Sequence, residues 1–388
     1  METTPQILSA QAFGLYLHIP FCHRICPYCS FYKHQPGDTA MKEFVSALLT
    51  ETRFQLDRLR ETTLTNPLTL YLGGGTPSLL SENHLCQLFE GLQELIDFSS
   101  LEEVDLEANP RTFQLSKIQL MKELGVTRVS LGVQSFQKDE LLALGRDHSP
   151  EEAEESFRTL REAEIPSCNL DLMFSIPHQN KDSWKNTLER ALALKPDHIS
   201  CYNLTYEEDT AYFERFQKGE LQDDPELNAD LFSIGDEILT AAGYEHYETS
   251  NYARSGHQSK HNQSYWQGMP YLGLGPSAVS TTPADKNHHS IRWQNVSDTS
   301  AYIQQIQSVG HAMASSEQLT TEQFNLERIA LLLRTAQGLP LRYLAAEQNF
   351  SVLLAHELAL LSDTHLQLTS SGALLVDSIA AELEPATT

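Results

Sequence analysis

The chain of 388 residues has no run of 18 or more apolar residues, so no transmembrane helix is expected. Its opening, METTPQILSAQAF, has neither the basic nor the apolar segment of a secretory leader, which points to the cytoplasm. Basic residues are few: 27 Lys and Arg against 52 Asp and Glu leave a formal charge of −25. A nucleic-acid partner is therefore not expected, because the phosphate backbone is gripped by clustered cations, and an anionic membrane surface would repel the chain. Cysteine is sparse as well. Of the six, Cys86, Cys168 and Cys201 stand apart in apolar surroundings and read as buried thiols, whereas Cys22, Cys26 and Cys29 crowd together. That distribution is not a disulfide framework; a tight group in a reducing compartment reads first as a metal or redox site.

From residue 14 to about 205, short apolar strands alternate with amphipathic helices. The strands expected are Leu15–Ile19, Leu68–Leu72, Val104–Ala108, Arg128–Val133, Leu170–Phe174 and Ile199–Leu204, with helices over 38–60, 81–97, 114–124, 137–144, 150–164 and 181–194. Six strands, each followed by a helix, imply parallel pairing through right-handed crossovers, either as an open doubly wound α/β sheet or as a complete or partial barrel. Residues 1–13 form a tail. Residues 206–320 lose the regularity and read as an α+β extension packed on the sheet. Residues 321–388 read as a small separate unit with helices near 321–336, 341–347 and 351–361, a hairpin in LQLTSSGALLV turning at Ser-Ser-Gly, and a last helix. That order is winged-helix-like, but Glu347, Glu357, Asp363, Asp377, Glu382 and Glu384 favour packing or a protein partner over DNA.

The strongest local signal follows the first strand: His18-Ile-Pro-Phe-Cys22-His-Arg-Ile-Cys26-Pro-Tyr-Cys29-Ser-Phe31. Three thiolates can hold three irons of a 4Fe–4S cluster and leave the fourth open to an exogenous chelator. A zinc site completed by His18 or His23 is the alternative, but the spacing is wrong for the common fingers. CxxxCxxC after a first strand resembles the radical S-adenosylmethionine superfamily. The resemblance implies a partial (β/α)6 barrel, with Cys22, Cys26 and Cys29 as cluster ligands and S-adenosylmethionine chelating the open iron.

A second motif, Gly73-Gly74-Gly75-Thr76-Pro77, ends the second strand, where parallel barrels build their sites. Its glycines read as bare backbone for a ligand to approach. The resemblance makes Gly74, Gly75 and Thr76 contacts of S-adenosylmethionine. Glu107, Gln134 and Asp171 lie in or at the ends of apolar strands and Arg146 follows a short helix, so one face must line something polar. An internal network such as Arg146 with Asp171 is the plainer explanation. These positions resemble the subgroup holding the oxygen-independent coproporphyrinogen dehydrogenases (HemN) and the heme chaperones (HemW). That likeness makes Tyr16, Glu107, Gln134, Arg146 and Asp171 further S-adenosylmethionine contacts.

Within the subgroup, Phe31 stands where the dehydrogenases carry a further cysteine, and the arm before the first strand is short. His261-Asn-Gln-Ser-Tyr-Trp266 resembles the HNxxYW motif associated with heme binding, with His261 as candidate iron ligand and His246, His257, His288 and His289 as other candidates. The resemblance thus implies a carrier that binds heme and passes it to acceptor proteins. Oxidative decarboxylation of coproporphyrinogen III is the competing enzymatic expectation, and whether any radical step accompanies transfer stays open.

Overall fold

A computed structural model describes residues 12–60, 62, 64, 66–283 and 290–386; His288, His289 and residues 1–11 of the tail lie outside the described residues. Six strands form the centre: β1 (Ala12–Ile19), β2 (Asn66–Gly74), β3 (Glu103–Ala108), β4 (Arg128–Gln134), β5 (Ser167–Phe174) and β6 (His198–Asn203). They pair in chain order and in parallel. The expected helices between them are present as Met41–Leu59, Glu82–Gln93, Leu115–Glu123, Lys138–Ala143, Pro150–Glu162 and Lys181–Ala193. Their starts obey local chemistry: Ser149 and Glu152 close a capping box around Pro150, and Asn180 caps the helix that follows it.

Parallel strands covered on both sides usually read as continuous apolar runs. Here they alternate. Leu15, Leu17, Leu70, Leu72, Leu106, Val129, Leu131, Leu170, Leu172 and Ile199 are fully buried in one cluster with helix residues such as Phe44, Leu85, Phe89 and Phe157. The opposite face carries Thr69, Asp105, Arg128, Ser130, Asn169, His198 and Ser200, all buried and polar. Many of these groups bond one another: Arg128 pairs with Asp105 at 3.0 Å, Asn169 donates to Ser130 and Ser200, and His198 bonds Asn169. The concave interior of this partial barrel is therefore a polar column closed at the amino ends of its strands and open at their carboxyl ends.

Residues 206–320 add strands to both edges of the six-stranded centre. β7 (Glu245–Glu248) and β8 (Asn251–Ala253) extend the sheet beyond β6. β9 (Tyr271–Leu274), β10 (Val279–Pro283), β11 (Ser290–Asn295) and β12 (Met313–Leu319) extend it beyond β1, giving twelve strands. The segment also holds a helix absent from the sequence expectation, Pro225–Ala241, started by Asp224 and Pro225. No described helix is long and apolar enough to cross a membrane.

The last residues have their own core of Ile329, Leu332, Leu333, Leu339, Leu366, Val376 and Ile379. Three expectations there need correction. The helix near 341–347 is a single 3-10 turn, Leu341–Tyr343. The helix expected to reach 361 ends at Ala355, and Ala359–Leu361 becomes a strand, β14. The hairpin therefore lies earlier than expected. β14 turns through Ser362-Asp363-Thr364 into β15 (His365–Leu368), which also pairs with the two-residue β13 (Leu339–Pro340). Ser370–Ala373 is helical because the Thr369 hydroxyl accepts from Gly372 N, making the Ser-Ser-Gly segment a helix start. Arg328 ties this unit to the rest by donating to the carbonyls of Gln267 and Gly268.

Candidate functional site

The chain leaving β1 makes the cysteine loop, which has little regular structure and is pinned from outside. Cys22 N donates to His34 O at 3.0 Å and His34 N to Pro20 O at 2.8 Å. His18 Nε2 meets Tyr32 O at 2.8 Å, and Tyr32 Oη accepts from Thr299 N at 3.1 Å. Cys22, Cys26 and Cys29 are half-buried free thiols. Each has a donor or cation at hand. The Thr76 hydroxyl reaches Cys22 Sγ at 3.7 Å, Arg146 Nη1 reaches Cys26 Sγ at 3.7 Å, and Lys33 donates to the carbonyl of Cys29. Burial pushes the Cys22 thiol up to about 11 and raises that of Cys29, so both hold their protons at neutral pH until a metal displaces them.

The three cysteines open on a cavity of about 440 Å³ at the carboxyl ends of the strands. Gly74, Gly75, Thr76, Glu107, Gln134, Arg146 and Asp171 line it too, so seven of the eight expected cofactor contacts come together with the cysteines. Tyr16 does not reach it. Its hydroxyl bonds His18 Nδ1 at 3.0 Å, and its ring lies 5.9 Å from that of Tyr71, which does line the cavity. Tyr71, Asn109, Lys33 and Tyr202 are lining residues not singled out from sequence. The signal for Tyr71 was strand alternation, which puts it on the inner face with Thr69 and Gly73.

The glycine run also has a packing role within the fold. A Cβ on Gly75 would lie 2.7 Å from the carbonyl oxygens of Ile19 and Phe21, and one on Gly74 (φ +103°) 2.4 Å from the His18 ring. The glycines let β1 and the cysteine loop approach β2, and Gly75 N and Thr76 N then bond Ile19 O and Phe21 O at 2.9 and 2.8 Å. Gln134, at φ +71°, ends β4 in the left-handed region beside a register shift, a strained residue on the cavity wall.

The walls are polar and mixed in charge. Glu107 accepts from Tyr71 Oη at 2.7 Å and Gly74 N at 3.0 Å. Burial, aided by the charge of Asp171, still pushes its carboxyl up to about 7. Asp171 is raised by burial against bonds from Ser130 and Asn169. Arg146 does not pair with Asp171; Nη2 is held by Asn109 Oδ1 at 2.7 Å and Gly132 O at 2.6 Å, which fixes Nη1 on Cys26. Its Nε, buried, has no partner.

His261 lies elsewhere. It sits on the short helix Lys260–Trp266, which plugs the amino end of the barrel. Glu103 accepts from Ser259 Oγ, Lys260 N and His261 N at 3.0–3.1 Å, a carboxylate on a helix start. The imidazole bonds Thr69 at 2.7 Å, stacks on Tyr71 at 4.8 Å and is 1% exposed. Burial lowers it to about 3, and Nε2 has no partner. The structure thus does not place His261 among the residues that line the cavity. Of the alternatives, His246 is paired with Asp236 at 2.8 Å and His257 bonds Ser167.

Residues 16–191 match the model of the radical SAM superfamily. The chain is 39% identical over 267 residues to the heme chaperone HemW of Haemophilus influenzae, covering 68% of this chain and 69% of that protein. It is 33% identical over 382 residues to the heme chaperone HemW of Mycobacterium tuberculosis, covering 97% and 96%. Among solved structures, coproporphyrinogen III oxidase (HemN) from Escherichia coli superposes with a TM-score of 0.81 at 24% identity, over 96% of this chain and 90% of that one, which shows a shared fold. With cysteine loop, glycine run and polar barrel mouth all in place, the chain belongs to the radical SAM superfamily and, within it, to the family of the HemW proteins.

Proposed function

We propose that this protein is a heme carrier built on a radical SAM barrel: it binds heme and hands it to acceptor proteins, with a 4Fe–4S cluster and S-adenosylmethionine resident at the barrel mouth. The observation that carries the cofactor part is the convergence of Cys22, Cys26 and Cys29 with Gly74, Thr76, Glu107, Gln134, Arg146 and Asp171 in one cavity. The heme part rests on the names of the relatives.

The residues fit the groups. No three His, Cys, Asp or Glu side chains among the described residues are grouped as a single-ion site, whereas a cluster takes one thiolate per iron and needs no common point. Cys22, Cys26 and Cys29 would hold it. Thr76 and Arg146 would donate to two of its thiolates, which stabilises the more negative oxidation state. A cluster held by these three thiolates would supply the electron for reductive chemistry on S-adenosylmethionine. Glu107 and Asp171 would accept from the cofactor's ammonium and ribose hydroxyls, and the buried Nε of Arg146 offers a free donor. Tyr16 would act one layer behind, holding Tyr71 and His18. A cytoplasmic setting would keep the free thiols reduced.

The test is anaerobic reconstitution of the full chain, followed by iron and sulfide analysis, heme titration and transfer to an apo-hemoprotein. Four irons, a heme absorption band and transfer support the reading. Production of protoporphyrinogen from coproporphyrinogen III, with 5′-deoxyadenosine, would replace it with the enzymatic one.

A further inference from the structure

Heme asks three things of a binding surface: an apolar face for the macrocycle, cations for two propionates, and a nitrogen or sulfur for the iron. The rim of the cysteine loop supplies all three. Phe31 and Ile25 are 66% and 44% exposed, although the loop is pinned at Cys22, Tyr32 and His34. Tyr202, 40% exposed, lines the same cavity as Phe31. Apolar rings held in water by a fixed loop at a cavity mouth mark a binding surface rather than a packing defect.

The charge fits as well. In a chain of net charge −25, Arg24 and Lys33 both line this mouth without a carboxylate partner among the described residues. Among the described residues, Arg24 has no hydrogen-bond or ion-pair partner. Arg24 also borders the neighbouring cavity of about 250 Å³, together with His23. His23 is the one histidine among the described residues lining the two cavities. Its side chain is 80% exposed, with Nδ1 3.5 Å from Asp147 Oδ2 and, among the described residues, no hydrogen-bond partner on Nε2. A carboxylate behind one ring nitrogen and an open second nitrogen is how metal-binding histidines are commonly oriented. His261 meets none of the access conditions, being 1% exposed.

We propose that heme docks across the rim of the cysteine loop, with His23 on the iron, Phe31 against the macrocycle, and Arg24 and Lys33 on the propionates. This rests on the heme-carrying function proposed above and locates the cargo beside the cluster site instead of at the HNxxYW helix.

The experiment is heme titration of the full chain, reconstituted with its cluster and also as apoprotein, read by the Soret maximum and by affinity. His23→Ala is expected to shift the Soret maximum and weaken binding about tenfold. The double variant Arg24→Glu with Lys33→Glu is expected to weaken binding about tenfold with the Soret maximum unmoved. Iron and sulfide content reports on the cluster, and the apoprotein series removes cluster loss as a cause. If wild type binds heme while both variants match it in spectrum and affinity, the rim is overturned and the carrier reading stands. If His261→Ala alone abolishes the band in folded protein, the rim is equally overturned. If wild type binds no heme, the carrier reading falls and this site with it.

Discussion

Between Cys22 and Lys33 the backbone is almost free of regular structure, and its side chains stay half-exposed or exposed. Between Lys260 and Trp266 the chain is a capped helix, and His261 and Ser264 are buried. The loop is ordered by backbone anchors and by neighbours outside it, such as His18 and Thr299, which leaves its own cysteines and Phe31 available. The helix spends its side chains on the fold: His261 on Thr69 and Tyr71, Ser259 on Glu103. Two segments with equally chemical-looking residues thus divide into one that displays and one that plugs. Exposure and anchoring separate them, not residue type.

The sharpest contrast should appear on replacing the three cysteines by Ala. Iron incorporation should fall to background, while the apoprotein's thermal midpoint stays within about 2 °C, because partly exposed thiols contribute little packing. A large loss of stability in the metal-free variant would mean the loop is structural after all. Next in size is Gly75→Val. Its branched side chain meets two backbone carbonyls rather than open cavity, so it should cost about 3 kcal/mol in denaturant unfolding and loosen the loop from β2. Unchanged stability with weakened S-adenosylmethionine binding would restore the glycine to a ligand-contact role.

His261→Ala follows, at about 2 kcal/mol, through the lost stack on Tyr71 and the stranded Thr69 hydroxyl. Chemical denaturation of the apoprotein measures it; a neutral result would mean that the helix does not plug the barrel through His261.

The six central strands were legible because apolar alternation is local, and their observed ends differ from expectation by a few residues. β2 runs on to Gly74, which sequence reading stopped at Leu72, since glycine is a poor strand former; there the pairing of Ile19 with Gly74 decides. The cysteines were legible by their close spacing after the first strand, and Glu107, Gln134 and Asp171 as polar residues in or at the ends of apolar strands. Asn109 was not, because an Asn before Pro110 looks ordinary in a turn, and Tyr71 was readable only as an inner-face position of its strand, since an aromatic ring there is unremarkable. The burial of His261 could not be read locally: its partners Glu103 and Thr69 lie 158 and 192 residues away. In the C-terminal unit, apolar Ala359–Leu361 passed for a helix end until pairing with His365–Leu368 made it a strand.

The loop's anchor is itself buttressed by a buried acid. Glu51 accepts from Gly275 N, Asn295 Nδ2 and Tyr302 Oη, and Tyr302 shares a helix with Thr299. Burial pushes Glu51 up to about 7 from its ordinary 4.5. Between these values the unfolded chain releases a proton that the folded one keeps, so stability falls as pH rises from about 4.5 to 7 and levels off above. Glu248, raised by burial to about 7, adds the same sign. Glu51→Gln should therefore flatten the pH dependence of unfolding by roughly 2 kcal/mol between pH 5 and 7. An unaltered slope would assign the dependence to other groups.

The smallest effect expected is the most telling about the loop. Phe31 is the most exposed aromatic ring among the described residues lining the cavity, at 66% exposure, and its neighbours Cys29 and Tyr32 are held by hydrogen bonds to their backbone that do not involve its ring. Phe31→Ser removes apolar surface already in water, so unfolding free energy should move by less than about 0.5 kcal/mol. A core phenylalanine such as Phe89, fully buried among the helices, should instead cost about 3 kcal/mol or more on truncation to Ala. If Phe31→Ser proved as costly as Phe89→Ala, the ring would be packing in the apoprotein, and the loop would belong with the plug rather than with the displaying surface.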